Sequence, residues 1–207
     1  MKILTVMLHC CLKTRDMYAE RGIPEEIFYA TMNFLPRFLE WQKKYYGTYA
    51  FSWAWWFPRQ LALCEFRIGE LEFEMTKEEG APCVSIHIPA GVSLKKEDLR
   101  ATYAAWKAFV KKYFPAYADV PSYCDSWMLS PALKQLLPPD SRILSFQSCF
   151  EILRSDNNDA VVDWVFPGKR VPYEELAEHT SLQRAMKRYL CSGGVVGWTT
   201  GRLKSFD

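Results

Sequence analysis

The chain has 207 residues, 49% hydrophobic and 24% charged, with a net charge of +2. That composition suits one sizeable globular domain, or one domain with a helical extension. So small a charge, with no Lys/Arg run longer than two, argues against nucleic acid as a partner. No apolar run approaches the ~20 residues that span a bilayer, and the seven cysteines and three histidines show no zinc spacing and imply no metal. Most cysteines lie in apolar runs and read as buried thiols of a cytoplasmic protein. The first twelve residues have the Lys-then-apolar look of a secretory signal but lack a small-residue cleavage site, and the pattern continues into a charged helix. Aromatics are high at 15%, with eight Trp, as a large aromatic core or a lined pocket requires.

In chain order, residues 1–20 read as a helix stopped at Arg21-Gly22. Pro24 opens a second helix with Glu25 and Glu26 in its first turn. Its apolar spacing runs to about Tyr46, with a kink at Pro36 and a stop at Gly47. These residues, 1–46, form an N-terminal helical part, and 47–207 the sheet-bearing part of what reads as one structural domain. The aromatic stretch Phe51–Phe57 is a packing wedge. Residues 61–67 and 71–75 form a hairpin through Ile68-Gly69-Glu70, with Leu71, Phe73 and Met75 alternating against Glu70, Glu72 and Glu74. A third strand, Cys83–Ile88, turns Ser85 and His87 to one side.

A helix over 94–114 follows, capped by Ser93 and stopped by Pro115. Next come a strand over 123–129, a short helix over 131–137, and an antiparallel pair over 143–153 and 161–166. A helix capped near Thr180 or Ser181 runs to Cys191, Gly193-Gly194 breaks it, and 195–203 closes the chain as a strand. The pattern predicts an α+β fold with a twisted, mostly antiparallel sheet flanked by helices.

The order of elements resembles the GNAT acyltransferase fold with its first strand apparently missing. Specific segments narrow the resemblance to bacterial acyltransferase-like proteins with a GNAT-like C-terminal domain. They are Tyr18 to Glu26, the Phe66–Glu74 hairpin, His87-Ile88-Pro89-x-Gly91, Ser126 to Pro131, Phe146-Gln147 and Thr180 to Ala185. The resemblance implies transfer of an acyl group from acyl-CoA, with acetyl-CoA expected, to an unidentified small-molecule or amine acceptor. One departure stands out: GNAT enzymes hold the CoA pyrophosphate on a Gln/Arg-x-x-Gly-x-Gly/Ala loop, and the matching junction here, Pro89–Lys95, has a single glycine. Relatives also carry an additional N-terminal domain. A missing strand leaves a sheet edge open, which favours a homodimer or association with such a domain. No membrane partner is expected.

Acyl transfer needs a base for the amine, polarisation of the thioester carbonyl, and a seat for the pantetheine arm. His87 is the general-base candidate, since an imidazole titrates near neutral pH. Glu74 or Glu72, from the neighbouring strand, can orient it and strengthen it as a base. The alternative for His87 is a structural histidine with a satisfied hydrogen bond; for the glutamates it is a solvated strand face. The strand end and loop Ile88, Ala90, Gly91, Val92, Ser93, Leu94 and Lys95 are the cofactor-binding candidates, because a helix N-terminus offers free N–H groups to a pyrophosphate. Against this, Glu97 and Asp98 already complement the dipole there. Tyr123 and Ser126 are candidates for bonding the pantetheine arm or protonating the thiolate; Cys124 as a nucleophile lacks a His-Asn/Asp partner pattern. The rival reading is a non-catalytic GNAT-like module that binds a ligand or partner and assembles with a separate N-terminal domain.

Overall fold

The computed structural model describes residues 2–206. It divides into two compact units, one of residues 2–93 and 97–122, the other of 94–96 and 123–206. In the first, α1 (Lys2–Glu20) ends in a Schellman motif. Gly22 N donates to Ala19 O and Ile23 N to Tyr18 O, at 3.0 and 2.9 Å. Gly22 has φ +67°, and Tyr18 and Ile23 bury together behind it. The Tyr18–Glu26 motif is therefore a helix stop.

Where the sequence predicts one kinked helix there are two, α2 (Glu25–Met32) and α3 (Phe34–Tyr46). Pro36 has no N–H to give and its ring crowds the carbonyl of Met32, so the break falls at Asn33. Gly47, left-handed at φ 73°, ends α3 as expected. The aromatic stretch 51–57 is irregular and does pack: Phe57 is fully buried and stacks on Phe34 at 5.8 Å.

The strand predicted over 61–67 is shorter. Pro58 begins a single turn, α4 (Pro58–Leu61), and only then comes β1 (Glu65–Ile68). β2 (Leu71–Glu78) and β3 (Ala81–His87) complete an antiparallel three-stranded sheet in the order β1-β2-β3. Gly69, at φ +57°, makes the two-residue turn in which Ile68 pairs with Leu71. Helix α5 (Lys96–Tyr113) stops before Pro115, as expected, and covers one face of this sheet. Trp106 stacks on Phe73 with centroids 4.6 Å apart and planes 2° from parallel, and Phe109 meets Phe66 at 4.8 Å.

The second unit holds β4 (Ser122–Ser126), α6 (Leu133–Leu136), α7 (Arg142–Ser148), β5 (Phe150–Asp156), α8 (Val161–Val165), α9 (Ser181–Cys191) and β6 (Trp198–Leu203). The antiparallel pair expected over 143–153 and 161–166 is absent. Of its first half only the part up to Ser148 is helical, because Ser141 accepts from Ile143 N at the cap and Ile143, Phe146 and Gln147 keep helical spacing; residues 150–153 are strand, as expected. Its second half is helical because Val161, Val162, Val165 and Phe166 turn one apolar side into a core with Met186 and Leu190. β5 pairs instead with β6, which also pairs with β4, both antiparallel.

The expected strand 123–129 ends at Ser126, whose hydroxyl accepts from Met128 N in a short 3-10 turn. Gln147 Nε2 donates to Ser130 O at 2.8 Å, so two of the family-like segments are tied to each other. Thr180 and Gln183 form a capping box at α9. The α+β class and antiparallel pairing are as predicted; no strand precedes α1 among the described residues. All seven thiols are free, but only Cys83, Cys124 and Cys149 are buried. Among the described residues no helix is long and apolar enough to cross a membrane.

Candidate active site

Pairing fixes which side chains share the face of the β1–β3 sheet away from α5. Glu65 lies opposite Glu74, Arg67 opposite Glu72, and Glu72 opposite His87. A two-residue turn and strict alternation put three glutamates and the histidine on one surface. That surface is not solvated. Glu65 and Glu72 are buried, and the Glu74 and His87 side chains are only 15% and 22% exposed.

His87 Nε2 lies 2.9 Å from Glu74 Oε2, and Arg59 Nε donates to the other oxygen, Oε1, at 3.0 Å. Burial pushes the Glu74 carboxyl up, but the hydrogen bond and charge of His87 and the Arg59 guanidinium outweigh it and hold it below the ordinary value. An ionised Glu74 only accepts, so His87 Nε2 is the donor in this contact. The structure brings His87 and Glu74 together, as their places on neighbouring strands suggested. Glu72 does not reach His87; it accepts from Arg37 Nη2 at 2.7 Å.

Trp56 closes the site. Its ring meets His87 edge-on at 4.8 Å, and the Arg59 guanidinium lies over it at 4.2 Å. The sequence reading missed Glu65, Arg59, Arg37 and Trp56. Glu65 was recoverable: a two-residue turn at Gly69-Glu70 sets residue 65 against residue 74. The others come from α3, α4 and the turn before it, and no local pattern marked them as facing this surface.

Glu65, Glu74 and His87 each place a donor atom within 4.8 Å of the others, a grouping that could hold a divalent cation. A cation would have to displace the Arg59 and His87 contacts of Glu74 and lie beside a guanidinium. The arrangement is neutralised by arginine.

The cofactor candidates divide. Ile88, Ala90, Gly91, Val92 and Ser93 belong to the first unit, Leu94, Lys95, Tyr123 and Ser126 to the second. Ile88, Val92, Ser93 and Leu94 are half-buried; Ala90, Gly91 and Lys95 are exposed. Ser93 N donates to Glu70 Oε2 at 2.8 Å and Ser93 Oγ to Asp98 Oδ2 at 2.5 Å, so one expected anion-binding N–H is already taken. Tyr123 is half-buried and lies opposite Arg202, while Ser126 caps its own turn. Cys124 is buried, and burial drives its thiol far above the ordinary range, which removes it as a nucleophile. The second unit also has a cavity of about 520 Å³ between Lys134, Leu144, Phe150, Ile152 and Lys204; no expected site residue lines it.

The α+β element order and antiparallel pairing are those expected of a GNAT-like protein. The chain belongs to the family with a GNAT-like C-terminal domain, which matches residues 65–203, and residues 1–63 match the N-acyltransferase N-terminal domain. Among solved structures it is similar to an acyltransferase in complex with decanoyl-CoA and teicoplanin, at 25% identity and a TM-score of 0.90, over 97% of this chain. An acyltransferase in complex with decanoyl-CoA aligns at 26% identity and 0.90 over 98% of this chain. An acyltransferase mutant in complex with octanoyl-CoA aligns at 25% identity and 0.91, also over 98%. The chain spans 65% of each of those proteins' own length. No curated protein matches it.

Proposed function

We propose that this chain carries the acyl-transfer chemistry of an acyl-CoA-dependent N-acyltransferase that modifies an amine on a small-molecule acceptor. The observation that carries the reading is the His87–Glu74 contact, half-buried at the end of β3 and braced by Arg59. In this reading Glu74 fixes the imidazole, and Nδ1 of His87 takes the proton of the acceptor amine as its nitrogen bonds to the thioester carbonyl carbon. The C–S bond then breaks and CoA leaves as the thiolate, which takes its proton from water. Ile88 to Lys95 remain the candidate seat of the pyrophosphate and pantetheine.

The GNAT-like match and solved relatives that hold decanoyl-CoA, octanoyl-CoA and teicoplanin support the reading. They favour medium-chain donors over the acetyl group that the sequence suggested, and a bulky amine-bearing acceptor. Glu72 is assigned to anchoring Arg37. Calorimetric titration with CoA, acetyl-CoA and octanoyl-CoA, followed by thiol release with amine acceptors, tests it. Micromolar binding, with turnover that falls about 10²–10⁴-fold in His87→Ala while the fold persists, is expected. Full activity in both His87→Ala and Glu74→Ala would falsify the assignment.

The second reading, a non-catalytic module that assembles with a partner domain or a second copy, is favoured by one observation. Ser93 N is already bonded to Glu70, which sets a carboxylate at the expected anion seat. Failure to bind any acyl-CoA at millimolar concentration would select it.

A further inference from the structure

Glu65 completes the surface on which His87 and Glu74 meet. It lies across the β1–β2 ladder from Glu74 and is fully buried. Its Oε1 accepts from Gln60 Nε2 at 2.7 Å and from Trp56 Nε1 at 3.3 Å. Its Oε2 is buried without a hydrogen-bond partner. Trp56, gripped by Glu65 at one edge, packs on the His87 ring and carries Arg59, which holds Glu74, which holds His87. The contacts close a ring around the imidazole.

We infer that Glu65 is a positioning residue for His87: it orients the imidazole through Trp56, and its ionised form steadies the imidazolium that forms when His87 takes a proton. The chemistry of this inference rests on the acyl-transfer reading; the cluster itself does not.

Three observations lead to it. First, a buried carboxylate oxygen with no partner is costly unless it carries a proton, so Oε2 is a natural place for one. Second, the neighbouring carboxylates are already matched, Glu72 by Arg37 and Glu74 by Arg59. Among the described residues Glu65 is not within ion-pair distance of a guanidinium. Third, a donor atom from each of Glu65, Glu74 and His87 lies within 4.8 Å of the other two, close enough for a charge on one to be felt by the rest.

The groups that face Glu65 come from every element around it. Cys64 and Arg67 flank it along β1, Glu72 and Glu74 come from β2, and His87 from β3. Gln60 and Arg59 come from α4, and Trp56 from the preceding turn. Arg37 of α3 is joined to Glu72. Burial pushes the Glu65 carboxyl up to about 7, with His87 pulling it down and Glu72 and Glu74 pushing it further up. A proton on His87 and one on Glu65 therefore oppose each other.

The test is an NMR titration of the whole chain, following the His87 imidazole nitrogens, the Trp56 indole N–H and the Glu65 side-chain carboxyl carbon. It needs no turnover. In wild type the Glu65 carbon is expected to titrate near pH 7; a midpoint in the ordinary glutamate range overturns the inference without any variant. Glu65→Gln keeps an acceptor for Trp56 but cannot ionise. Its indole resonance should stay in place while the His87 titration moves down by about half a pH unit or more. A His87 titration identical in wild type and Glu65→Gln overturns the inference. Glu65→Ala should shift the indole resonance and lower kcat about tenfold at unchanged KM for acyl-CoA, with Glu65→Asp restoring part of the loss; an unmoved indole resonance and unchanged kcat in the folded Ala variant also overturn it. If the titrations behave as expected but wild type transfers no acyl group, the cluster stands and the proposed function falls.

Discussion

Along β2, Leu71 and Phe73 point towards α5, and Glu72 and Glu74 point to the opposite face, where Arg37, Arg59 and Trp56 meet them. The two faces share a backbone and a register, and both are largely dry. What holds them differs. The α5 face is stabilised by apolar area and ring contacts, which tolerate small displacements and are indifferent to pH. The other face is stabilised only while each carboxylate is matched, by a guanidinium, an imidazole or a proton. Burial serves stability on the first face. On the second it sets proton affinities, and that is the property a catalyst needs.

Breaking the first face has the largest expected effect. Trp106→Ala removes the ring stacked on Phe73 and should cost about 3–5 kcal/mol by denaturant unfolding. It should leave the His87 titration where it was. If the titration moves as well, the faces are not independent.

Changing the second face should show the reverse, a modest and pH-dependent effect. The Glu65 carboxyl sits at about 7 in the folded chain against an ordinary 4.5. The folded state therefore binds this proton more tightly. The resulting stability is fully present below pH 4.5 and is lost as pH rises through 7. Over that interval wild type should lose about 3 kcal/mol relative to Glu65→Gln, which has no proton to release. Unfolding midpoints of both proteins at pH 4.5, 6 and 8 check this; a constant difference across the series refutes it.

How much of this contrast was legible in the sequence depends on range. The alternation of Leu71, Phe73 and Met75 with Glu70, Glu72 and Glu74 gave β2 and its two faces, and Gly69-Glu70 gave the hairpin. Together with His87 on β3 they gave the pair of side chains that meet on that face, His87 and Glu74. The partners of that face were not legible. Arg37 and Arg59 sit on helices whose packing is decided by the stacking of Phe34 on Phe57 across the chain, and no local pattern marks a guanidinium as facing inwards. The same limit explains the strands expected at 143–153 and 161–166. Short apolar runs such as Val161-Val162 fit either period, and the core formed with Met186 and Leu190 decided for helix.

The smallest expected effect lies where the two faces share a turn. Gly69 has φ +57°, and a Cβ there would lie 2.4 Å from Thr102 Oγ1 and 3.1 Å from Thr102 Cβ. That hydroxyl also accepts from Glu70 N at 3.0 Å, so α5 holds the turn through a polar contact set within its apolar face. Thr102→Val keeps the shape and removes the acceptor, leaving the Glu70 N–H to find water. It should cost about 1 kcal/mol. Gly69→Ala adds both backbone strain and the clash, so it should cost more, about 1–3 kcal/mol. The double variant discriminates between two uses of the contact. If Thr102 matters to Gly69 mainly as the atom in the way, Thr102→Ala, which removes the clashing Oγ1, should relieve part of the Gly69→Ala cost. If backbone strain dominates, the two changes should simply add.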